Sequence, residues 1–119
     1  MAEWQMGVVE SKFADIIWRT APVTSSQLVK LGEAEMGWKR TTVHTVLRRL
    51  CDKGLFRNDG GVVTARITRD EFYARQSRQY VADSFHGSLP AFIAAFTQGR
   101  RLTEEERAEL RRMIDETEG

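Results

Sequence analysis

The chain has 119 residues, enough for one ordinary domain or two small ones, and its 41% hydrophobic and 29% charged content is that of a soluble globular protein. No apolar run approaches the roughly 20 residues that a membrane span needs, and the start, MAEWQMGVVESK, lacks the basic onset and apolar centre of a secretory signal. The net charge of +1 hides an uneven distribution: Trp38 to Arg69 carries eight bases against two acids, whereas Thr103 to Gly119 carries seven acids against three bases. A basic middle in a near-neutral chain points towards nucleic acid.

In chain order, VVESKFADIIWRT places Val9, Phe13, Ile16 and Ile17 at helical spacing with Trp18 beside them, and Pro22 lies just beyond. Thr24 with Gln27 is a capping-box pattern opening a second helix, whose stripe is Leu28, Val29 and Leu31 and whose end is Gly37. The third helix lies in GWKRTTVHTVLRRLCDKGL. On a wheel of about 100° per residue, Val46, Leu47 and Leu50 fall within roughly 60° of Val43. Thr41, Thr45, Arg48 and Asp52 take the opposite side, with His44 and Arg49 on the flanks, and Gly54 suits a left-handed helix end.

Asn58, Asp59, Gly60 and Gly61 are turn formers between the β-prone stretches LFR and VVTARI, which predicts a two-stranded hairpin. Thr68 with Glu71 opens a long polar helix that ends near Gly87. Ser88 starts a short apolar helix with Pro90 in its first turn, and Thr103 with Glu106 caps a last helix. No internal repeat or low-complexity segment is present. The predicted class is mainly α: a winged helix-turn-helix of three helices plus a small β-hairpin wing, residues 1–67, followed by a helical dimerisation region, residues 68–119.

In a helix-turn-helix the second helix of the motif enters the major groove, and its N-terminal residues meet base edges. The third helix carries the residue types that this role needs. Thr41, Thr42 and Thr45 are short hydroxyls able to bond to bases or phosphate. Arg48 can pair with guanine, whereas Arg49 on the flank suits phosphate, as do Lys39 and Arg40 at the helix start. His44 is a groove-flank residue, and Arg57 and Arg66 could add contacts from the wing. The plain alternative is a solvated charged helix; its place in the motif, directly before a hairpin, favours the DNA reading.

The run TTVHTVLRRLCDKGL resembles the penicillinase-repressor family, which shows Thr-Thr-Val, a further Thr, an Arg-Leu pair and a Lys-Gly-Leu ending. Here these are Thr41, Thr42, Val43, Thr45, Arg49, Leu50, Lys53, Gly54 and Leu55. Glu10, Trp18, Gly37-Trp38 and the segments FHGSLPAFIAAF and LTEEERAELRRMID also match, so the resemblance spans nearly the whole chain. It implies a dimeric winged-helix repressor that binds an inverted-repeat operator with TACA/TGTA half-sites on double-stranded DNA, regulating beta-lactam-response or related genes. It also implies release by a sensor-linked protease that cuts between the two regions. The family's cut follows an asparagine and precedes a phenylalanine; alignment puts Ala95-Phe96 there, so this chain departs at the first position. It departs too in having no tryptophan near Ser11 and only a short hairpin.

Dimerisation is expected through Leu89, Phe92, Ile93, Phe96, Leu102, Leu110, Met113 and Ile114, with Phe72, Tyr80 and Phe85 packing across from the long helix. The alternative is an intrachain three-helix core. No metal or cofactor is expected: Cys51 is a lone, partly buried cysteine in a chain suited to a reducing cytoplasm, and His44 and His86 lack ligand spacing. No phosphate loop or nucleophile motif argues for an enzyme. The rival readings are a winged helix used for protein assembly and a regulator that senses a small ligand in its dimer region.

Overall fold

The computed structural model describes residues 6–117, and the chain divides into two compact units between Gln79 and Tyr80. In the first unit, helices α1 (Val8–Thr20), α2 (Ser25–Met36) and α3 (Arg40–Asp52) precede the hairpin strands β2 (Phe56–Asp59) and β3 (Val62–Ala65). This is the expected winged helix, with one addition. A two-residue strand, β1 (Val23–Thr24), joins the hairpin to make a three-stranded antiparallel sheet in the order β1-β3-β2. Val23 faces Val63 and is buried, so the pairing hides two branched side chains; two residues are too few for alternation to show in a sequence.

The elements start and stop where local chemistry requires. Thr24 and Gln27 bond reciprocally at the start of α2, and Thr68 and Glu71 do the same for α4 (Arg69–Phe85). These bonds from Thr68 hold the Glu71 carboxyl below its ordinary range. At the wing tip Gly60 and Gly61 both have positive φ, 57° and 94°, as a tight primed hairpin turn demands. Asn58 Oδ1 accepts from Gly61 N at 3.0 Å, and Gly61 O accepts from Ser25 N at 2.8 Å, tying the turn to α2.

One core holds the unit together. Phe13, Ile16 and Ile17 of α1, Leu28 of α2, and Val43, Val46, Leu47 and Leu50 of α3 are buried, together with Leu55, Phe56 and Val63 around the hairpin. The stripe predicted for α3 is therefore the face that α3 buries. Each such side chain contributes about 1.5–3 kcal/mol by leaving water. The aromatic end of the core joins α1 to α4. Trp18 Nε1 donates to Ile67 O at 3.0 Å, and its ring lies 5.0 Å from Phe56 and 5.5 Å from Phe72. Phe72, expected among the dimer-forming residues, is fully buried here. The first turn of α4 docks on the winged helix, so Phe72 has no surface left to offer a second chain.

The second unit contains the end of α4, α5 (Leu89–Gln98) and α6 (Glu104–Glu116). Ser88 caps α5, and the Thr103–Glu106 box caps α6. Phe92 meets Phe85 at 5.5 Å, Tyr80 at 6.1 Å and Phe96 at 6.3 Å. Yet among the described residues of this unit none is buried.

Helix α2 approaches α3 at Gly32, where a Cβ would lie 2.5 Å from Val43 Cγ2. Val43 is fully buried and stiff about its first side-chain bond, so it has little room to move. An alanine in a helix is normally more stable than glycine by about 0.5–1 kcal/mol. Gly32→Ala should instead destabilise this fold, by roughly 1–2 kcal/mol, because overpacking costs more than the helix gains. Urea unfolding of Gly32→Ala, with and without Val43→Ala, checks this. The two changes should be non-additive, since the second removes the clashing methyl; a Gly32→Ala chain as stable as the parent would refute the tight contact.

Candidate nucleic-acid interface

Helix α3 presents its polar face because its apolar face is fully used by the core. Lys39, Arg40, Thr41, Thr42, His44, Thr45, Arg48 and Arg49 are all exposed, and seven of these lie within α3 itself. The turn before it is short. Gly37 ends α2 with φ 68°, and Trp38 N donates to Gly32 O at 3.1 Å. The Trp38 ring packs on Phe13 at 5.1 Å. This turn starts α3 at a defined angle to α2.

The start of α3 is electropositive for two reasons. Its N-cap is Lys39, whose side chain makes no capping bond, unlike the boxed starts of α2 and α6, and its first turn holds no acid, unlike that of α6. The leading amides, which carry the positive end of the helix dipole, are thus left to solvent or to an anion. Lys39 and Arg40 add full charges at the same place. Among the described residues, Lys39, Arg40, Arg48 and Arg66 have no ion pair. Thr45 Oγ1 donates to Thr41 O at 2.9 Å, which leaves its oxygen as an acceptor and its methyl for an apolar contact.

The far end of α3 is balanced differently. Glu10 of α1 lies 3.4 Å from Lys53 Nζ and 3.9 Å from Arg49 Nη1, so these two cations share a counter-charge. In the wing, the Arg57 guanidinium is occupied by Asp59 at 2.8 Å, whereas Arg66 just after β3 is exposed. The predicted wing cations are thus unequal. The sequence reading missed Glu10 as a partner of α3 and Gly32 as its contact. Both act across helices, where spacing along the chain carries no signal.

Other candidate groups are quiet. Burial, and then the neighbouring Asp52, push the Cys51 thiol up, which disfavours the reactive thiolate. Among the described residues no group of three His, Cys, Asp or Glu side chains could hold a metal, and no helix is long and apolar enough to cross a membrane. In the second unit, Phe92, Ile93, Phe96, Leu102, Leu110 and Met113 line one groove. Tyr80, Leu89 and Ile114 are exposed at 55%, 58% and 70%, and Phe85 is half-buried. Ala95 and Phe96 lie inside α5, in helical backbone.

Comparison with known proteins points the same way. The family described as penicillinase repressor matches residues 6–116. A curated penicillinase repressor of Bacillus licheniformis is 23% identical over 116 residues, covering 94% of this chain and 91% of its own. With a match that runs from the first helix to the last, and a winged helix whose third helix turns unpaired cations outward, the chain belongs to the penicillinase repressor family of transcriptional repressors.

Proposed function

We propose that this protein represses transcription as a homodimer on an inverted-repeat operator, each copy laying α3 in the major groove of one half-site. The carrying observation is the outward face of α3: unpaired Lys39, Arg40 and Arg48 around the hydroxyls of Thr41, Thr42 and Thr45. In this reading Arg48 pairs with a base, and Lys39 and Arg40 hold phosphates with the open helix start. Thr42, His44 and Arg49 flank the groove, and Arg66 is the better placed wing cation because Arg57 already has Asp59. The half-sites are of the TACA/TGTA type, and the controlled genes belong to a beta-lactam or related response, by family resemblance.

The dimer is proposed from the second unit. Its apolar residues are half-buried or exposed, although its helices are capped and its aromatic rings already touch. A second copy would cover the groove between Phe92 and Met113 and the exposed Leu89 and Ile114. Release by a sensor-linked protease at Ala95-Phe96 would require α5 to unwind locally first, since that bond lies within helix.

Fluorescence anisotropy with a labelled TACA/TGTA inverted repeat, against a scrambled duplex at physiological salt, tests the DNA reading. Tight binding to the repeat with two chains per duplex is expected. Arg48→Ala should lose roughly 1–3 kcal/mol on the operator and relax base preference, whereas Lys39→Ala should weaken all DNA alike and reduce the salt slope by about 1. Equal binding by the parent and both variants would remove α3 from the groove.

Truncation before Ser88 should leave a folded unit that sediments as a monomer and binds the operator far more weakly than the full chain. It keeps Phe72 in the core and loses α5 and α6. A truncated chain that still sediments as a dimer would place the interface elsewhere.

A further inference from the structure

The cations of α3 fall into two groups. Lys39, Arg40 and Arg48 have no ion pair among the described residues, whereas Arg49 and Lys53 face the Glu10 carboxylate of α1. Glu10 is well placed for this. Its side chain is 20% exposed and Lys53 22%, so water and salt screen the pair less than a surface pair. Arg49 is looser, 60% exposed and 3.9 Å away, and no hydrogen bond from its side chain is made among the described residues. Glu10 also accepts from Gly7 N at 3.4 Å, which anchors the carboxylate at the start of α1.

We propose that Glu10 sets how strongly this protein binds DNA of any sequence, by offsetting the charge of Arg49 on the DNA-facing helix and of Lys53 at its C-cap. The inference rests on the reading of α3 as the DNA-binding helix. Each cation that neutralises a phosphate releases counterions, and this term is blind to sequence. A carboxylate beside two such cations subtracts from that term. It makes no contact with Thr41, Thr45 or Arg48. Glu10 thus tunes the affinity for all DNA without touching a base.

Glu10→Gln is the direct test, because glutamine can still accept from Gly7 N and serves equally well at this helix position. Circular dichroism should therefore match the parent, with a modest drop in melting temperature from the lost Lys53 pair. Binding to the scrambled duplex is measured from 50 to 200 mM salt. The log–log slope should steepen by up to about 1, at roughly 0.9 per phosphate gained, with the largest rise in affinity at low salt. Glu10→Gln placed in an Arg49→Gln, Lys53→Gln chain should leave the slope where that chain has it.

The Arg49→Gln, Lys53→Gln chain is informative by itself. Because Glu10 already offsets these cations, its slope should differ from the parent by less than one phosphate. An unchanged slope in Glu10→Gln overturns the proposal, as does an equal steepening in both backgrounds. So does a loss of about two phosphates on removing Arg49 and Lys53. A parent chain whose binding ignores salt would overturn the DNA reading itself, and this inference with it.

Discussion

Helices α2 and α3 meet at a point where one side chain is missing. Gly32 leaves the space that the Val43 methyl fills, and Val43 begins the apolar stripe that continues through Val46, Leu47 and Leu50. The rotation of α3 about its own axis follows from that stripe. Turning the helix by one residue, about 100°, would carry hydroxyls and guanidiniums into a core that contains no buried polar or charged residue. The outward direction of Thr41, Thr45 and Arg48 is thus a consequence of core packing. The polar face needs no separate scaffold; it is the other side of the same helix.

That face is not uniformly basic. Its front, at Lys39 and Arg40, combines free charge with uncapped amides, and its rear, at Arg49 and Lys53, is balanced by Glu10. In the proposed docking, where the front of a recognition helix meets base edges, this gradient puts unbalanced charge at that front. The wing repeats the theme on a smaller scale, with Arg57 closed by Asp59 and Arg66 open. A near-neutral chain can in this way attract a polyanion locally without adhering to it everywhere.

Much of the first unit was legible in the sequence, for physical reasons. Three S/T-x-x-E/Q boxes at Thr24, Thr68 and Thr103 state their helix starts in adjacent residues, and the structure forms all three. Periodicity named the buried side of α3, and the turn Asn58–Gly61 named the hairpin. What escaped depends on chain segments far apart. Strand β1 exists only because β3 lies beside it, and the close approach at Gly32 exists only because Val43 does. Phe72 looked like one of several aromatic residues on a polar helix, and only the fold reveals that it belongs to Trp18 and Phe56. Within the candidate site, the exposed residues of α3 could be named from spacing. Which of its cations are free could not, because Glu10 is 39 residues before Arg49 along the chain.

The burial of Phe72 bears on how a repressor of this kind could be switched. The helix that leads to the second unit begins inside the core of the first, so the winged-helix unit does not rely on α5 or α6 for its own packing. A cut within α5 would leave the first unit's core, the Gly32–Val43 contact and the α3 face intact. In the proposed dimer, what it would remove is the coupling of two such faces. Joined, the second half-site is reached at the effective concentration set by the dimer; separated, each unit has only its own few contacts, and avidity of about 10²–10⁴-fold is lost without any change in the reading helix. On the proposed reading, affinity for the operator is controlled by the second unit, which has no buried residue among those described, and not by the winged helix.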